Sequence, residues 1–158
     1  MKKIPIFLLA TLALLPAGCS DSPIIDHQVN TDASFPGNLS FDRKGLKVIS
    51  TFIDRKQGLV STLYGNDIAL NAAKSGTQES ARGLVMVMAT WSQQPNPYWY
   101  GNNIPGRLRT VEMVTSNSQT GKHMYSTCDQ KSWQGNSVIP NSEERIRYIL
   151  GLKPSVMP

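Results

Sequence analysis

Cysteine and histidine are scarce in this chain, with two of each among 158 residues. A zinc cluster of the usual kind cannot be built from so few donors unless carboxylates supplement them. A disulfide framework is excluded as well, because Cys19 is claimed by another chemistry below and Cys128 is then left without an intramolecular partner. Charged residues make up only 17% of the chain, and the formal net charge of +5 is scattered as pairs such as Arg43/Lys44, Arg55/Lys56 and Arg107/Arg109. No polybasic run or basic stripe marks a nucleic-acid surface. No apolar run is long enough to span a bilayer. The chain also lacks a phosphate-cradling glycine-rich loop, an internal repeat and a low-complexity segment.

What is present begins with an export signal: Lys2 and Lys3, an apolar run from Ile4 to Leu15, then Pro16-Ala17-Gly18-Cys19. The small residues before Cys19 resemble a bacterial lipobox, although Pro16 stands where leucine is usual. The expectation is that residues 1–18 are a lipoprotein signal peptide and that Cys19 is lipidated. The protein would then be anchored by lipid to the periplasmic face of the inner or outer membrane. Residues 19–40 are rich in Ser, Asp, Asn and Pro and read as a flexible tether. Residues 41–158 have the length of a single domain that can bury a core without staples.

Within that domain, Leu46 to Ile53 and Gly58 to Tyr64 are β-branched runs separated by Asp54-Arg55-Lys56-Gln57, and they predict a hairpin. Asn66 stands as a helix N-cap with Asp67 in the first turn, and Gly76 closes that helix. Leu84 to Trp91 is the most apolar run and predicts a central strand, followed by strands over Arg107 to Thr115 and His123 to Cys128. The alternation of the first of these does not reveal its buried face. Ser142 opens a final helix with Ile146, Ile149 and Leu150 on one side, ended by Gly151 and Pro154. The order predicts an α+β fold, mainly an antiparallel β-sheet with one short central helix and a C-terminal helix.

The segment from Thr90 to Glu112 crowds Trp91, Tyr98, Trp99 and Tyr100 among prolines, glycines and the amides Gln93, Gln94, Asn102 and Asn103. These rings either form a lid over one end of the sheet or, with Glu112, line a pocket for a planar or small polar ligand. Trp99 is expected to anchor the loop from Gln93 to Gly106. With Leu63 to Gly76 and the ending Arg145 to Pro158, this segment resembles the cytochrome P460 domain of bacterial envelope proteins, over roughly residues 43–158. The resemblance implies an antiparallel sheet presenting one face to a ligand or to a second subunit, as in a homodimer. It also implies a c-type haem attached through Cys-x-x-Cys-His near the C-terminus, and chemistry on hydroxylamine or nitric oxide. Cys128 instead continues as Asp129-Gln130-Lys131-Ser132, and no lysine is assigned to the cross-link that the haem-bearing relatives carry.

The expectation is therefore a domain of this kind without covalent haem, acting as a ligand-binding or accessory module rather than an enzyme. The alternatives are a redox protein with non-covalent haem and a protein-interaction module of the envelope. No catalytic residue is assigned, since His123, Cys128 and Asp129 are neighbours in sequence rather than a spatial triad. No metal site is assigned either. His123 is the weak candidate for a ligand, and otherwise reads as a partly exposed strand histidine.

Overall fold

The computed structural model describes residues 30–37, 45–129 and 142–155. Five antiparallel strands form one sheet whose spatial order follows the chain: β1 (Lys47–Asp54), β2 (Leu59–Gly65), β3 (Val85–Pro95), β4 (Asn103–Ser116) and β5 (His123–Asp129). Helix α1 (Asp67–Ser75) lies between β2 and β3, and α2 (Ser142–Leu150) follows β5. The predicted α+β architecture, with both helices in place, is what the structure shows.

Local chemistry accounts for α1. The Asn66 side chain accepts the Ala69 N–H at 2.9 Å, capping the first turn, and Gly76 ends the helix in the left-handed region at φ 72°. Asn66 also donates to the Gly83 carbonyl at 2.9 Å, so the cap fixes the start of β3 as well. Gly65, just before the cap, is required by close packing: a Cβ there would lie 2.6 Å from Ile49 Cδ1 and 2.7 Å from the Ala69 methyl.

The sheet is covered on both faces. Ile49, Leu63, Met86, Met88 and Val114 meet Ala69 and Ala73 of α1 and Ile149 and Leu150 of α2 in one core. On the other face Val60, Val87, Ala89, Trp91, Leu108 and Val111 pack beneath Ala33, Phe35 and Leu46. The alternation of β4 is unreadable in sequence because its phase flips. Thr90 pairs with Thr110 but Trp91 with Leu108, so the extra residue Arg109 forms a bulge. Leu108 therefore joins Val111, not Glu112 and Val114.

Two expectations change. Residues 30–37, assigned to the tether, are docked: a short 3-10 turn at Thr31–Ala33 lies against β4, and Phe35 stacks edge-on against Trp91 at 5.6 Å. Packing of a partly buried phenylalanine against the sheet outweighs the tether-like composition around it, so packed structure starts before residue 41. The expected loop from Gln93 to Gly106 is mostly strand, since Gln93, Gln94 and Pro95 pair with Pro105, Ile104 and Asn103. Only residues 96–102 form the tip, closed by the Asn96 N–H to the Asn102 carbonyl at 2.8 Å.

After α2 the chain crosses to the far edge of the sheet. The Ser155 N–H donates to the Ile49 carbonyl at 3.0 Å and its hydroxyl meets Ser50 Oγ, also at 3.0 Å.

Candidate functional site

The aromatic cluster expected to share one pocket is divided by the hairpin. Trp91 is only 6% exposed. Its indole N–H donates to the Ala33 carbonyl at 2.9 Å, which satisfies the one polar group a buried tryptophan carries. Tyr98 and Trp99 are 70% and 69% exposed and Tyr100 is fully so. Trp99 therefore does not anchor a lid, because nothing in the tip lies over it. Polar backbone contacts hold the tip instead, among them the Tyr98 N–H to Asn96 Oδ1 at 2.9 Å.

Glu112 departs from the expected pocket in the opposite direction. It is buried on the helix-covered face, and Arg145 of α2 clasps it through Nε at 2.8 Å and Nη2 at 2.6 Å. The Tyr125 hydroxyl of β5 donates to the same carboxylate at 2.6 Å. A buried carboxylate that holds a guanidinium through both its oxygens and a phenol besides is a joint between helix and sheet. Burial, reinforced by the neighbouring carboxylate, pushes the Tyr125 phenol up to about 12. The hydrogen bond to Glu112 raises Arg145 further, against the burial that opposes it. Beside this joint Ser61 and Thr90 pair their hydroxyls at 2.9 Å, a second buried polar contact on the same face.

His123 lies on the same face as Glu112 but four residues along β5 from Thr127, the residue opposite Glu112, a separation of roughly 13 Å. Its Nε2 is 3.0 Å from the Glu79 carbonyl oxygen, which fixes Nε2–H as the donor, and the buried Nδ1 has no hydrogen-bond partner among the described residues. Cys128 pairs with Val111 across the β4–β5 ladder. Cys19 lies outside the described residues. Among the described residues no group of three His, Cys, Asp or Glu converges to hold a metal ion.

The amides do converge. Gln93, Asn102 and Asn103, with Ile53, Arg55 and Pro105, line a cleft of about 480 Å³ at the end of the sheet where the β1–β2 turn meets the tip. Asn103 Nδ2 donates to Gln93 Oε1 at 3.1 Å, and Gln93 Nε2 to the Leu59 carbonyl at 3.1 Å, so Gln93 ties the two hairpins together. Gln94 does not line the cleft. Arg55 was legible only as part of a polar break between strands, and nothing local marked Arg145 or Tyr125 as partners of Glu112.

A family model for cytochrome P460 matches residues 42–147, which spans all five strands and reaches into α2. The chain belongs to the cytochrome P460 family. No curated protein matches it. The donor set of this cytochrome P460 domain does not fit a thioether-linked haem: Cys128 is not followed by a second cysteine and a histidine, and His123 precedes it. Of the two histidines, His27 lies outside the described residues and His123 is tied through Nε2 to Glu79.

Proposed function

We propose that this cytochrome P460 domain is a binding or accessory module of the bacterial envelope, held by lipid at Cys19 and working without covalent haem. The observation that carries the reading is the cleft where Gln93, Asn102, Asn103 and Arg55 meet. Amides supply both donors and acceptors and Arg55 adds a fixed positive charge, a combination suited to a small polar ligand bearing an anionic group. Trp91 packs two residues before Gln93 on β3, and neither it nor Glu112 lines the cleft.

The test is the absorption spectrum and intact mass of the protein purified from its native envelope, together with native mass spectrometry for a retained small molecule. The expected result is no Soret band, a mature mass of acylated Cys19 onward, and a retained ligand that Arg55→Ala loses. A haem-sized adduct that survives denaturation overturns the reading.

A second reading, a redox protein using non-covalent haem on hydroxylamine or nitric oxide, is favoured by the buried Nδ1 of His123, which has no hydrogen-bond partner among the described residues. An imidazole whose other nitrogen donates to a carbonyl is oriented as metal ligands are. A Soret band that disappears on denaturation and is absent from His123→Ala supports this reading over the first.

A further inference from the structure

The tip of the β3–β4 hairpin sets three consecutive rings, Tyr98, Trp99 and Tyr100, on a convex turn in open solvent. Exposed aromatics in such a group require a favourable environment elsewhere, because large flat apolar area is costly to leave in water. Three further observations point to one occupant. The β1–β2 turn lies at the same end, bonded to the hairpin through the Gln93 N–H and the Gly58 carbonyl at 2.7 Å, and it carries exposed Arg55 and Lys56. The carboxylate of that turn, Asp54, is already engaged by the N–H groups of Lys56 and Gln57 at 2.9 and 3.0 Å, and Arg107 adds a third exposed cation on β4. Finally, Asn30, the first described residue, donates from its side chain to the Pro105 carbonyl at the base of the tip, while Ala33 and Phe35 lie farther along the sheet against Trp91. The chain therefore joins the domain at the tip end. Only ten residues separate Asn30 from Cys19, a span of at most roughly 40 Å fully extended.

We propose that this tip is a membrane-seating wedge, with Tyr98, Trp99 and Tyr100 entering the headgroup region of an anionic bilayer while Arg55, Lys56 and Arg107 meet lipid phosphates. Tryptophan and tyrosine favour that depth because each has an apolar body and a polar end, and basic residues beside them add attraction to anionic lipid. The wedge would fix the orientation of the domain on the surface, which an acyl anchor on a tether does not. The inference rests on the envelope reading only in requiring a bilayer within reach.

The test uses the full mature protein reconstituted into phosphatidylethanolamine–phosphatidylglycerol vesicles, with brominated acyl chains as quencher. The contribution of Trp99 is the difference between wild type and Trp99→Phe. A blue-shifted, bromolipid-quenched Trp99 signal is expected, weaker in phosphatidylcholine vesicles and at high salt. In the full-length Cys19→Ser chain, replacing all three rings by alanine should lower binding to the same vesicles by roughly tenfold or more. A water-like, unquenched Trp99 on vesicle-bound protein overturns the proposal. So does a Trp99 that becomes shielded without lipid as protein concentration rises, which would mean that the tip pairs with another copy. Lipidation is read separately, from the mass of the mature chain and from release of Cys19→Ser out of the envelope. Failure of the anchor and failure of the wedge are thus distinct results.

Discussion

Trp91 and Trp99 belong to one hairpin and occupy opposite environments. In the body of the hairpin Trp91 is roofed by Phe35 and hydrogen-bonded to Ala33, and the same strands carry Glu112 into its clasp with Arg145. In the tip, Trp99 and its tyrosine neighbours touch little, and the turn keeps its shape through Asn96 and Asn102. Side-chain burial stabilises the body, and backbone hydrogen bonds shape the tip. The difference separates what the domain needs to fold from what it has available for contact with something else.

The separation breaks most sharply at Trp91. Trp91→Ala should lower stability by about 3–5 kcal/mol, the usual loss for a buried large aromatic, in denaturant unfolding. It should also release residues 30–37 to proteolysis. A loss near zero would mean that the face beneath Phe35 is not a core.

Glu112→Gln keeps the volume and removes the charge from the clasp. The expected loss is about 2 kcal/mol, below the full value for a buried pair because Arg145 is 41% exposed. Replacing both residues with methionine, together with Tyr125→Phe, should recover much of it, since apolar partners leave neither a charge nor the Tyr125 hydroxyl unpaired. A triple variant as unstable as Glu112→Gln would show that the cluster does more than join α2 to the sheet.

Tyr125 sharpens the same region through pH. Its phenol is raised in the folded state from 10.0 to about 12, so its stabilising contribution is complete below pH 10 and is lost as pH climbs from 10 towards 12. Tyr125→Phe should therefore flatten the decline in unfolding midpoint over that interval. An unchanged alkaline profile would place the titration on another group.

The smallest stability effect belongs to the tip. Trp99→Ala should change stability by no more than about 0.5 kcal/mol, as for other exposed sites, measured in the same denaturant series as Trp91→Ala. A loss comparable to that of Trp91 would erase the distinction between body and tip.

Much of the fold was legible because its signals are local. Asn66 and Gly76 bound α1 by capping chemistry, and the β-branched runs of β1, β2 and β3 follow from strand-length apolar patterning. The hairpin extension was not legible, because Gln93, Gln94, Pro95 and Asn103 are poor strand formers and pair only by virtue of partners across the turn. Composition grouped the four aromatics of the segment, whereas strand phase separates them: Trp91 shares the parity of Val85, Val87 and Ala89, all packed on one face, and the other three follow the last paired residue of β3. Arg145 and Glu112 lie too far apart in the chain for any spacing rule to join them. Phe35 was the available hint that order begins early, the one aromatic residue in a largely polar stretch.

The hold of Ser155 on β1 has a consequence for solubility. β1 is one of the two edge strands, and an edge strand with open N–H and C=O groups is a template for pairing with another chain. The Ser155 N–H occupies the Ile49 carbonyl, and its hydroxyl accepts the Thr51 N–H at 3.3 Å. The chain's own last described residue thus stands where the first strand of an aggregate would dock, and α2, pinned by Arg145, is what delivers it there.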